Sequence, residues 1–178
     1  MRLGMELYCS KKHAKFFYKV TVETKRLAMS TVITVLNGPN LNLLGRREPE
    51  IYGTETLEDI EKFCREWATR TGVIVHFHQS NCEGQLIELV QAAIGVSAGL
   101  IINPAAYSHT SVALLDALKI FSGTKVEVHL SNIYQREVFR HHSYTSIGVD
   151  AVIAGCGSDG YWFALEYIAK RLKFSTEG

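Results

Sequence analysis

The sequence predicts an α/β fold, an open parallel sheet of five strands with helices on both faces. Two observations predict it. Five short β-branched or apolar runs, residues 31–36, 73–78, 100–102, 126–130 and 151–154, start mostly 25 to 27 residues apart, and that is the length of one β-α unit. Between the runs the apolar residues switch to helical spacing. At 178 residues, 47% hydrophobic and 21% charged, the chain has the size and composition of one globular domain with a short appendage.

The appendage is residues 1–30, where seven basic residues (Arg2, Lys11, Lys12, Lys15, Lys19, Lys25 and Arg26) face two acids, Glu6 and Glu23. The segment shows no sustained periodicity and lacks the apolar stretch of a secretory signal. It is expected to be a poorly ordered extension or to precede a natural start at Met29. A single domain then runs over 31–178. Residues 31–36 (TVITVL) are the first buried strand. Thr56 with Asp59 forms a capping box that opens a helix carrying Leu57, Ile60, Phe63, Trp67 and Ala68 on one face, closed by Gly72. Residues 73–78 are the second strand and 83–94 the second helix. The remaining strands alternate with helices over 110–121 and 160–174, and 133–140 can make a short helix. The units share no sequence repeat, and their order gives a flavodoxin-like sheet.

A formal charge of +1, from 19 Lys+Arg against 18 Asp+Glu, lacks the basic excess that drives nucleic-acid binding. The four cysteines, Cys9, Cys64, Cys82 and Cys156, form no C-x-x-C pair and no zinc spacing, so a reducing, cytoplasmic setting fits best. The longest stretch free of acidic and basic residues, 89–115, is interrupted by Gln91, Asn103, Pro104 and His109 and does not read as a membrane span.

In open α/β sheets ligands bind beyond the carboxyl ends of the strands, and the polar clusters of this sequence fall there. The first strand leads into Asn37-Gly38-Pro39-Asn40, the second into Gln79-Ser80-Asn81, the third into Asn103-Pro104, the fourth into Ser131-Asn132 and the fifth into Gly155-Cys156-Gly157. Asn, Gly and Pro are also turn formers. The run from Asn103 to Ser111, however, offers more donors and acceptors than one helix cap uses. The connection over 43–53 is long for a βα loop and has the length of a lid.

The motifs NGPNLNLLGRREPEIYG, HQSN-x-E, INPAAYSHTSVALLDAL, EVHLSN followed by REVFRHHSY, and IAGCGSDGY occur in that order. In them the chain resembles the type II 3-dehydroquinate dehydratases, over roughly residues 32–171. The resemblance implies the flavodoxin-like fold already reached and a dodecamer built as a tetramer of trimers. It also implies anti elimination of water from 3-dehydroquinate to give 3-dehydroshikimate, without cofactor, metal or Schiff base. The reaction would serve aromatic biosynthesis or quinate breakdown.

By the same resemblance Tyr52 is the base that removes the proton alpha to the ketone. A free phenol has a pKa of about 10, so its anion at pH 7 costs roughly 4 kcal/mol. Arg47, on the same lid, supplies a cation that does not compete for the proton. Asn40 stabilises the enolate through a water, and His129 is the general acid for the leaving hydroxyl. Strand alternation puts Glu127 on the face of His129, where it holds the imidazole tautomer. A strand histidine read by itself is a core residue, and His76 and His78, which no motif claims, are taken as structural. The backbone amides of Leu130 and Ser131 match the carboxylate site, with Asn103 and His109 as further ligands, Arg140 on a hydroxyl and Arg136 at the lid edge. Asp116, seven residues after His109, is expected on the same helix face, and in the family it reaches the neighbouring subunit's site.

Three positions depart from the family pattern: Cys82 for histidine, Ala105 for glycine and Leu115 for arginine. Ala105 is expected to tighten the loop bearing Asn103, and Leu115 to remove a charge near a subunit contact. Two other classes of function fit the sequence less well. A flavin or nucleotide binder would need a phosphate loop after the first strand, which NGPNLNLLG is not, and a silent binding protein would have no need of Tyr52, Arg47 and His129 together.

Overall fold

The computed structural model describes residues 4–8, 17–21, 31–45 and 55–172. Five parallel strands form the sheet: β3 (Val32–Asn37), β4 (Ile74–Gln79), β5 (Gly99–Asn103), β6 (Thr124–His129) and β7 (Ala151–Ala154), in the order β4-β3-β5-β6-β7. This is the flavodoxin-like arrangement, in which the chain reverses its direction of sheet growth between β3 and β5. Residues 4–8 and 17–21, within the segment where the sequence showed no sustained periodicity, form two antiparallel strands, β1 (Gly4–Tyr8) and β2 (Phe17–Thr21), in a sheet of their own. Their aromatic and β-branched residues suit strands, but each run is too short for the alternation to register.

Among the described residues four α-helices cover the sheet: α1 (Leu57–Thr71), α2 (Glu83–Ala93), α3 (Val112–Ile120) and α4 (Asp159–Arg171). Strand alternation divides the core into two. Ile33, Val35, Val126 and Val128 pack against Ile60 and Trp67 of α1 and Leu165 of α4. On the other face Leu36, Leu100 and Ile102 pack against Leu86 and Val90 of α2 and Leu114 and Leu118 of α3. The capping box forms as its residues dictate, with the Asp59 N–H donating to Thr56 Oγ1 at 3.2 Å and the Thr56 N–H to Asp59 Oδ2 at 2.9 Å. Gly72 ends α1 in the left-handed conformation, φ 70°.

Two helical expectations change. Residues 133–140 do not form one helix but two single 3₁₀ turns, Ile133–Gln135 and Val138–His141. Arg136 is extended between them, with φ −106° and ψ −166°. The expected helix over 110–121 begins only at Val112, because Ser111 is extended and its hydroxyl caps the Leu114 N–H at 2.8 Å. His109 instead closes a separate 3₁₀ turn, Ala105–His109, so it and Asp116 do not share a helix. Among the described residues no helix is long and apolar enough to cross a membrane.

Candidate active site

The close approach of two turns makes the cavity. Where β3 and β5 part, the Gly38 N–H donates to the Asn103 carbonyl at 2.8 Å. A Cβ at Gly38 would lie 2.5 Å from the Pro104 carbonyl oxygen, so only glycine lets the turns meet. Asn40 follows at φ 67°, a left-handed conformation that asparagine tolerates better than most residues. Its N–H donates to Asn81 Oδ1 at 2.8 Å, and Gln79 Nε2 donates to the same oxygen at 3.1 Å. The polar cluster after β4 therefore braces the Asn40 turn from behind.

Beyond the ends of β3, β5 and β6 lies a cavity of about 120 Å³. Asn40, Asn103, His109, His129, Leu130, Ser131, Arg136 and Arg140 all line it. Tyr52 and Arg47 lie outside the described residues. Asp116 is exposed on α3 and does not line the cavity. The ends of β4 and β7 contribute no lining residue, so three of the five polar strand ends meet there.

The period-2 alternation of β6 turns Glu127 and His129 to one face, and His129 Nε2 lies 2.7 Å from Glu127 Oε1. Glu127 is fully buried and His129 is 5% exposed. Donation from Nε2 to the carboxylate fixes the tautomer and leaves Nδ1 as the second proton site. The Ser143 hydroxyl donates to the same Oε1 at 2.8 Å, and its own oxygen accepts the Ser146 N–H at 3.1 Å. The carboxylate is thus held from two elements. The His109 ring lies nearly parallel to that of His129, with centroids 6.5 Å apart, and its Nδ1–H donates to the His142 carbonyl at 2.8 Å. Burial holds its imidazole below the usual pKa, against the smaller opposing effect of that bond. His109 is therefore a neutral group at pH 7.

The chain turns after β6 under two backbone bonds, Gly155 N–H to the His129 carbonyl at 3.1 Å and Gly157 N–H to the Leu130 carbonyl at 2.9 Å. This places Leu130 and Ser131 at the cavity wall. Arg140 Nε donates to Glu137 Oε2 at 2.8 Å, and Arg136 Nε lies 3.7 Å from the same oxygen. One carboxylate thus holds both guanidiniums at the rim. Among the described residues no three His, Cys, Asp or Glu side chains are grouped to hold a metal ion.

Asn103 is 3% exposed, and its Nδ2 donates to the Tyr161 hydroxyl at 3.1 Å. Tyr161 and Ser143 have no role in the sequence reading although both stand in quoted motifs. A hydrogen bond between residues 58 apart leaves no trace in spacing. Of the three departures, Ala105 takes φ 50°, a region where glycine is unstrained. Leu115 is buried within its own chain at 6% exposure, and Cys82 is the exposed residue before α2. His76 and His78 share the exposed face of edge strand β4.

The family profile for dehydroquinase class II matches residues 31–169. The chain belongs to the class II dehydroquinase family. By that membership it is an enzyme, a carbon–oxygen lyase. Its sequence is 80% identical over 143 residues to the 3-dehydroquinate dehydratase of Bartonella henselae, covering 80% of this chain and 97% of that protein. The 3-dehydroquinate dehydratase of Streptomyces avermitilis is 56% identical over 147 residues, or 82% and 92% of the two chains. The crystal structure of type II dehydroquinase from Propionibacterium acnes superposes with a TM-score of 0.77 at 44% identity, covering 80% of this chain and 98% of that one. The dehydroquinase match begins at residue 31, one residue before β3.

Proposed function

We propose that this chain eliminates water from 3-dehydroquinate to give 3-dehydroshikimate, with Tyr52 as base and His129 as acid. The observation that carries the acid half is the buried His129–Glu127 contact of 2.7 Å at the cavity wall. The Tyr52 phenolate, favoured by Arg47, takes the proton alpha to the ketone, and the electron pair moves onto the carbonyl oxygen as an enolate. Asn40, which also lines the cavity, is suited to steady that oxygen through a water. Collapse of the enolate expels the hydroxyl, which leaves as water with a proton from His129 Nδ1. Glu127 keeps Nε2 as its partner throughout and stabilises the charged ring from which that proton departs.

The substrate carboxylate suits the amides of Leu130 and Ser131. Asn103, His109, Arg136 and Arg140 surround its ring and hydroxyls. Exposure of Asp116 supports its use by a neighbouring subunit in a dodecameric tetramer of trimers, in the cytoplasm. The test is the ultraviolet absorbance of the purified protein mixed with 3-dehydroquinate, since only the product has a conjugated enone. Absorbance that grows after chelator and borohydride treatment is the expected result. No growth from folded, oligomeric protein overturns the proposal.

A further inference from the structure

Tyr161 lies on α4, is 0% exposed and sits among core side chains, yet its hydroxyl joins the two asparagines that end β3 and β5. Asn37 and Asn103 are paired in register. They continue the rows of Ile33, Val35 and Ile101 that face α1 and α4. The Tyr161 hydroxyl is 2.6 Å from Asn37 Oδ1 and 3.1 Å from Asn103 Nδ2. The direction of every bond in this group is forced from its ends. Asn37 Nδ2 donates to the His78 carbonyl at 3.1 Å, so Asn37 must present its oxygen to Tyr161. The phenol therefore donates there and accepts from Asn103. Asn103 in turn must present Nδ2 to the phenol, and its Oδ1 accepts the Ala105 N–H at 3.2 Å. Burial also pushes the phenol pKa far above its ordinary value, so the hydroxyl keeps the proton it donates.

We infer that Tyr161 is a positioning residue for substrate binding. It fixes the rotation of the Asn103 amide at the cavity wall, so that the second Nδ2 hydrogen is the donor available to an acceptor oxygen of the substrate. This rests on the proposed function, and it adds a residue that touches neither substrate nor reacting atoms. A phenylalanine at this position fills the same space but leaves Asn37 Oδ1 and Asn103 Nδ2 buried without a partner. The Asn103 amide then keeps only the Ala105 N–H bond to hold its rotation. Binding suffers and the proton transfers, which run through other residues, do not.

The experiment is a double-mutant cycle on the full chain, with steady-state kinetics on 3-dehydroquinate and circular dichroism to establish folding. Tyr161→Phe is expected to raise KM on the order of tenfold, the usual scale for a stranded buried hydrogen bond, and to keep kcat within about twofold. In an Asn103→Ala background the same substitution is expected to leave KM unchanged, because the residue it positions is gone. Asn37→Ala cuts the same chain one link further from the cavity. It is expected to behave likewise, and serves if Tyr161→Phe does not fold. An unchanged KM, a fall in kcat alone, or KM effects that multiply in the double variant overturn the inference. An inactive wild type overturns the proposed function and this inference together, whereas active wild type with multiplying effects overturns only the role of Tyr161.

Discussion

The contact between His129 and Glu127 shows what a single residue can be asked to do. Each is almost fully enclosed, so the pair exchanges protons only with what enters the cavity. Replacing His129 with alanine is expected to lower kcat by about 10²- to 10⁴-fold, the usual worth of a general acid. Tyr52→Phe is expected to abolish turnover while substrate still binds, which equilibrium titration measures. Near-normal kcat in either variant overturns that assignment. His109 gives a pH signature of its own. Its folded pKa is held below the ordinary 6.5, so the unfolded chain takes up the proton first. Stability from this residue is complete above about pH 6.5 and is lost as the pH falls below it. Thermal unfolding at pH 5 and pH 7 is expected to show a larger drop for wild type than for His109→Gln. Residues such as Asn40 and His129 were legible because their motifs are contiguous. Tyr161 and Ser143 were not, because their roles consist of distances across 58 and 16 residues.

At the scale of elements, the sequence displays strands and helices where periodicity and capping agree, as in the Thr56–Asp59 box and the glycine that ends α1. It hides the 3₁₀ turns. Ile133–Gln135, Val138–His141 and Ala105–His109 are each five residues or shorter, less than two turns, so no apolar stripe can accumulate. These turns carry much of the cavity wall, and their geometry is open to test. At Ala105 the positive φ costs about 1–2 kcal/mol relative to glycine, against roughly 0.5–1 kcal/mol of extra chain entropy that glycine loses on folding. Ala105→Gly is therefore expected to raise the melting temperature by about 1–4 °C, and a lowered one means that the strain is illusory. Gly38→Ala is expected to act in the opposite direction. Its methyl group would meet the Pro104 backbone at 2.5 Å, which cannot swing aside as a side chain can. Overpacking of this kind costs about 1–3 kcal/mol, and denaturant titration should show it together with a loss of activity as the Asn40 and Asn103 turns part.

On the scale of the whole molecule, the family match begins at residue 31 and the first strand of the parallel sheet at Val32. Removing residues 1–28 is expected to leave activity and melting temperature nearly unchanged, and a large loss of either would give β1 and β2 a structural part in the enzyme. The mass of the protein in solution tests the twelve-subunit assembly. The five parallel strands were legible because a β-α unit has a characteristic length. β1 and β2 were not, because they carry no such unit.

The hydrogen-bonded group around Tyr161 also has a place in time. Its asparagines end β3 and β5, but the phenol that orients them is made later, on α4. A nascent chain that lacks this helix has neither the core side chains that cover that face of the sheet nor the phenol that sets these amides. Full affinity for ligand thus reports that α4 has been made and packed, and a product truncated before residue 159 is expected to lose both that affinity and the part of the core that α4 supplies.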